Sequence, residues 1–201
     1  MLAAVLVASV PVSAEDFEAE YDELIEQFGA SLPDSAAAEA QVDRADDLYD
    51  RIRQHRRDHR EDLSKAELDR LKDLSVEVRR FRGVARVVGQ VSNGAHTSID
   101  AFEAVQERLG LEPQVILTHE SGLELVRIDV DEFGSILIRN PTKMTVTVMY
   151  GVNDPERPGG VGNAACESYS VMSGLFNSRD REIEDVEFTI RVRDTGTGNC
   201  D

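Results

Sequence analysis

SAAAEAQVDRADDLYDRIRQHRRDHREDLSKAELDRLKDLSVEVRRFRGVARVVGQV, residues 35–91, is the stretch whose reading decides the fold. It is long, rich in charge and free of proline, and its apolar residues recur at helical spacing. Ala38, Val42, Ala45, Tyr49, Ile52 and Leu63 make one series; Leu68, Leu71, Leu74, Val78, Phe81, Ala85 and Val88 make a second, mostly in steps of three and four. Carried on from Ile52, the first series reaches Arg56 and His59, and beyond Leu63 the two series no longer share a phase. The break has its own signature. Ser64 stands three residues before Glu67, the spacing of a capping box, and Leu63 and Leu68 are placed to close a hydrophobic staple around it. The stretch therefore predicts two helices, at about 35–62 and 65–88, folded back as an antiparallel hairpin, because short loops commonly join antiparallel helices. The competing reading is one unbroken rod of roughly 70 Å, since neither Gly nor Pro interrupts residues 36–82.

Upstream, residues 15–28 form a short, intensely acidic amphipathic segment. Phe17, Tyr21, Leu24, Ile25 and Phe28 make one stripe, Glu15, Asp16, Glu18, Glu20, Asp22, Glu23 and Glu26 fill the rest, and Gly29 and Pro33 end it. So many like charges need a counter-field, and RIRQHRRDHR supplies one near the end of the next helix, where cations suit the dipole: Arg51, Arg53, Arg56, Arg57 and Arg60. The expectation is that the acidic helix lies against this basic segment, within one chain or between chains. The same five arginines are the candidate interaction patch. His55 and His59, four apart, give only half of a tetrahedral metal site, and the guanidinium groups around them repel a cation, so no metal is expected. If His59 occupies the helical seam, its protonation below about pH 6.5 would loosen an interface.

Downstream, GVARVVGQV reads either as the last turns of the helix or as a first strand, and SNGAHT reads as a loop. Ser98 can cap a short helix carrying Asp100, Phe102, Val105 and Leu109, closed by Gly110. The hydrophobic period then changes to two. Strands are expected at 115–117, 123–130, 135–139, 144–150 and 186–193, with 166–172 either a strand or a short helix. The last strand alternates most cleanly, Val186, Phe188, Ile190 and Val192 against Glu187, Thr189, Arg191 and Arg193, as in a sheet wet on one face. DEFG (131–134) and NPTK (140–143) read as the turns of an antiparallel meander, and NDPERPGGVGN (153–163) as a loop. A second sheet would cover such a meander as a small sandwich; a single sheet backed by the helix at 98–109 is the competitor.

The chain as a whole carries 30% charged residues and a formal net charge of -17 over 201 residues. That balance argues against nonspecific binding to nucleic acid or to an anionic membrane, both of which demand cationic surface. The first fourteen residues, MLAAVLVASVPVSA, hold no charged side chain, are too short to span a bilayer, and place Val12 and Ala14 at the small-residue positions of a signal-peptidase site. Export and the two cysteines explain one another, because in an oxidising compartment Cys166 and Cys200 are expected to pair. That tie would contribute on the order of 3 to 4 kcal/mol in the chain-entropy model.

No run of the sequence matches GxSxG, HExxH, a P-loop or GxGxxG. Asp129, Asp131 and Gly134 echo the opening of a calcium loop, but Phe133 stands where an oxygen ligand is required and Asn140 where the closing Glu belongs. His96 and His119, with Ser98 or Ser121 and one of the many acids, make triads only on paper. A disulfide loop on a sheet behind an N-terminal helix resembles type IV pilin-like subunits in outline alone, since the hydrophobic spine through which those polymerise is absent. The expected architecture is α+β: a leader at 1–14, then a helical region at 15–94 with an acidic helix and a hairpin or coiled coil. A short helix and a sandwich-like, disulfide-tied antiparallel β domain follow at 95–201. The expected function is that of an exported, periplasmic or secreted structural or interaction protein of the envelope. It would be non-catalytic, without cofactor or membrane insertion after leader cleavage, and would associate with itself or an envelope protein through its helices. A ligand-binding or inhibitory module with its site in the β loops is the alternative, and a hydrolase the third reading.

Overall fold

A computed structural model describes residues 13–32, 34–92, 94–130, 133–143, 145–153, 167–177 and 187–193. The leader before Ser13, Cys166, Cys200 and most of the loop expected at 153–163 lie outside the described residues.

Residues 35–91 fold as a hairpin of α2 (Ser35–Asp58) and α3 (Lys65–Val88). Each helix starts where a side chain can accept from its orphan N–H groups. Asp34 takes Ala36 N at 2.9 Å and Ala37 N at 3.3 Å. Ser64 accepts from Glu67 N at 3.3 Å while the Glu67 carboxylate accepts from Ser64 N at 2.9 Å, completing the capping box. α2 stops at Asp58, short of the expected 62, because the chain turns at His59, whose carbonyl accepts from Asp62 N and Leu63 N, both at 3.0 Å. Leu63 is half-buried against the core beside that turn.

The acidic segment is α1 (Ala14–Ser31), capped by Ser13 and Asp16 in a second capping box. It runs antiparallel to α2 and parallel to α3, so the three form an up-down-up bundle. Its whole stripe is buried. Phe81 of α3 meets Tyr21 and Phe28 edge-to-face, with ring centroids at 6.0 and 5.4 Å. On α2 the seam is Ala38, Val42, Ala45, Leu48 and Ile52. Leu48 was not in the expected series, and Tyr49, which was, sits half-buried at the edge with Arg53 and Arg82 over its ring at 5.4 and 5.5 Å. The 100° step of the helix puts both residues near the seam, and the hydroxyl decides which stays wet. Each fully buried side chain of this size contributes roughly 1.5–3 kcal/mol.

α3 is buried on more than one side: Val84 and Val87 join Val78, Phe81, Ala85 and Val88 in the core. One side packs on α1 and α2; another packs on α4 (Ile99–Gln106), capped as expected by Ser98, and on the sheet. Residues 84–88 are therefore helix, and the chain leaves α3 through Gln90, whose φ of 47° makes the left-handed turn.

The larger sheet has the order β1-β7-β4-β3-β2, all antiparallel. Its strands are β1 (His96–Thr97), β2 (Pro113–Thr118), β3 (Glu124–Val130), β4 (Phe133–Asn140) and β7 (Gly174–Asn177). β5 (Val146–Asn153) lies between β6 (Glu167–Val171) and β8 (Glu187–Arg193) in a second sheet of three. The meander expectation thus holds for β2-β3-β4 and fails at NPTK, because β4 pairs with β7 and β5 departs. The buried Asn140 anchors that departure: its Nδ2 donates to Val171 O at 3.0 Å and its Oδ1 accepts from Thr142 N at 3.0 Å. β1 and β7 were not anticipated, being too short to show a period. They meet because Gly174 has no side chain; a Cβ there would stand 2.1 Å from Thr97 O.

In the register of β3 and β4, Val126 faces Leu137 and Leu125 faces Ile138. Val126, Ile128, Leu137 and Leu175 belong to the same core as the helices, and the alternate residues Leu125, Ile136, Ile138 and Phe176 are buried as well. The sheet is thus covered on both faces, with α3 and α4 against one. The buried Ser135 sews helix to sheet, donating to Val88 O at 2.9 Å. Helices and sheet share one core that crosses residue 94. Among the described residues no helix is long and apolar enough to cross a membrane.

Candidate functional site

α2 changes character after Ile52. The apolar seam ends there, and Arg53, Arg56 and Arg57 follow in the last turns of the helix, with Arg60 in the turn beyond its end. Opposite them stand Leu68 and Asp69 at the start of α3, and together the six residues line an open groove of about 470 Å³ at the tip of the hairpin. Four guanidinium groups share it with one carboxylate. Among the described residues, none of these four arginines makes an ion pair. Arg53 lies over Tyr49 and Arg57 donates to Gln54 Oε1. Arg56 Nε is shielded from solvent and has no hydrogen-bond partner among the described residues.

The fifth member of the expected patch is elsewhere. Arg51 pairs with Glu20 of α1 and, at 2.7 Å, with Asp47 of its own helix. The acidic helix does lie against α2, but Arg51 is the one arginine of the run that pairs with it. Its remaining counter-charges come from Arg70 of α3, paired with Glu18 and, at 3.5 Å, with Glu15, and from Arg108, paired with Asp22. Composition could not find these two, since the first lies 52 and the second 86 residues from its carboxylate. Tyr21, below that cluster, donates its hydroxyl to Glu77 O at 3.2 Å, and burial pushes its pKa well above the usual range.

His55 and His59 stack with ring centroids 4.7 Å apart, and Phe17 of α1 meets His55 edge-on at 5.4 Å. His59 is exposed and not in the seam, because α2 has already ended beneath it. Burial lowers the His55 pKa, and the neighbouring His59 acts in the same direction. His119 Nδ1 lies 2.8 Å from Ser121 Oγ and also accepts from Ser121 N at 3.1 Å, so this is a local turn of the half-buried His119 and the exposed Glu120 and Ser121. Ser98 is occupied in capping α4, and His96 Nε2 faces Met172 O at 3.4 Å. Asp129 is paired with Arg127 at 2.6 Å, and Asp131 lies outside the described residues. Among the described residues no three of His, Cys, Asp or Glu are grouped so as to hold a metal. The large apolar side chains left exposed among the described residues are Val115, Ile116 and Met172. The first two lie on the edge strand β2, which begins at a proline and is bulged between Val115 and Leu117, both devices that blunt an edge.

Comparison with protein-family models, with curated proteins and with solved structures finds no match for this chain.

Proposed function

We propose that this chain is an exported, non-catalytic interaction protein that meets a protein partner through the tip of its helical hairpin. The observation that carries the reading is the groove of four arginines, none of which makes an ion pair among the described residues, in a chain whose net charge is -17. Guanidinium groups without a carboxylate of their own offer planar forks to one brought from outside, and they are enriched at the anchoring positions of protein interfaces. Association through the apolar seam itself has lost its support, because Ala45, Leu48, Ile52 and Leu71 are all buried within the chain. The contact surface moves to the tip, and a second copy is one candidate partner.

Export is supported by the uncharged leader and the even pair of cysteines. α1 starts at Ala14 with Ser13 as its cap, so cleavage after Ala14 would remove both and set a new ammonium group at the positive end of the helix. The mature chain is expected to lose about 1 kcal/mol in that first turn. Mass spectrometry of the native polypeptide tests the compartment: loss of Met1 with both sulfurs oxidised supports it, and a retained Met1 with reduced thiols overturns it. Photocrosslinking in the source organism tests the contact. A crosslinker at position 57 should give a defined adduct that one at exposed Glu39, at the other end of α2, does not. Adducts from neither position, or the same adducts from both, would overturn it.

A further inference from the structure

We infer that the arginine groove receives a second acidic peptide segment, supplied by a partner, in the way the rest of the bundle receives α1; this rests on the reading of the tip as a contact surface. The molecule already contains the mode of recognition. Carboxylates of α1 are taken by arginines of its neighbours, Glu20 by Arg51, Glu18 and Glu15 by Arg70, Asp22 by Arg108, while Arg82 and Arg86 both close on Asp46 across the hairpin. The four arginines of the groove continue this arrangement, and among the described residues none of them makes an ion pair. The shielded Arg56 N–H has given up water and has no acceptor among the described residues, a penalty that an incoming oxygen would remove.

The layout favours a segment over a compact ion. Arg53, Arg56 and Arg57 span about 6 Å along the helix axis and Arg60 follows in the turn beyond its end, so the four charges are spread out singly, as carboxylates are along a peptide. Each guanidinium offers the planar fork that a carboxylate accepts bidentately. Leu68 gives an apolar wall for the methylene groups of Glu or for an interleaved apolar side chain, and Asp69 at the rim repels a small ion of high charge. The net charge of -17 disfavours acidic peptides over the surface as a whole, which gives a cluster of four arginines the advantage in holding one.

The test titrates the full chain into a fluorescently labelled, Glu-rich octapeptide at low ionic strength, followed by anisotropy, with tripolyphosphate as the competing compact anion. Saturable binding is expected. It should weaken at least tenfold when Arg53, Arg57 and Arg60 are all changed to Gln, and several-fold in Arg56→Lys, which keeps the charge and loses the fork. Circular dichroism of each variant secures the fold, and the single Arg57→Gln serves if the triple variant does not express. Absence of saturable binding, binding unchanged in the variants, or displacement by tripolyphosphate at lower concentration than by unlabelled peptide would each overturn the inference. Salt-sensitive self-association in light scattering, abolished by the same substitutions, would support it and name a second copy as the donor. A tip-specific crosslink with no peptide binding would remove this inference alone; failure of both would remove the proposed function with it.

Discussion

The two ends of the α2/α3 hairpin share one helical period and use it for opposite purposes. From Ala38 to Ile52 the inward positions are apolar and fully buried against Leu71, Val78 and Phe81. Beyond Ile52, Arg53, Arg56 and Arg57 on α2 and Arg60 in the turn after it stand against Leu68 and Asp69, and the space between the helices opens into a groove. Unpaired cations cannot be closed into an apolar seam, because desolvating them costs several kcal/mol apiece. The helices therefore pack tightly where the sequence is apolar and stand open where it is charged. The base of the hairpin is committed to folding, and the tip is the surface proposed for a partner.

The sharpest way to break that contrast is to cut the base. Phe81→Ala removes the ring that Tyr21 and Phe28 both pack upon, and should cost about 3–5 kcal/mol in urea unfolding; a loss below 1 kcal/mol would mean the base is not the anchor. Ser135→Ala severs the link from β4 to Val88 O in a buried place and should cost about 1–3 kcal/mol by the same measurement. Between base and tip, Ser64→Ala removes the N-cap of α3 and should cost about 1 kcal/mol. At the tip itself, changing Arg53, Arg57 and Arg60 to Glu should leave the low-salt melting curve almost unmoved. Reversal of Arg51 and Arg70 should lower it, since those two hold α1. If the first set destabilises more than the second, the assignment of roles is inverted.

The smallest expected effect is on pH dependence. Burial depresses the His55 pKa, so the unfolded chain takes up the proton first. The stability this contributes is complete above the unfolded value near 6.5 and declines as the pH falls through it. His55→Phe should therefore show a flatter fall in melting temperature between about pH 7.5 and 5 than the parent chain. An identical slope would remove His55 from the account.

What was legible in the sequence was local. The capping box at Ser64 and Glu67 marked the turn of the hairpin, Ser98 marked α4, and the change of period after Pro113 marked the sheet, because caps and periodicities are written within a few neighbouring residues. The arginine run was visible for the same reason. Its division was not: Arg51 and the four groove residues have the same composition and differ in which face of the helix meets α1. Leu48 and Tyr49 were exchanged at the seam for a related reason, one step of 100° separating core from edge.

By itself the sequence determined the α+β class, the positions of three of the four described helix starts, the net charge of the chain, and the existence of a basic segment within an acidic chain. Those properties follow from backbone capping, side-chain period and net charge, none of which needs a distant partner. The tertiary structure alone decided that α1 is held by Arg70 and Arg108, that β5 leaves the meander for a second sheet, and that four arginines face an open groove in which, among the described residues, none of them makes an ion pair. Each of these depends on which residues far apart in the chain are brought together, and that is settled by the packing of whole elements against one another.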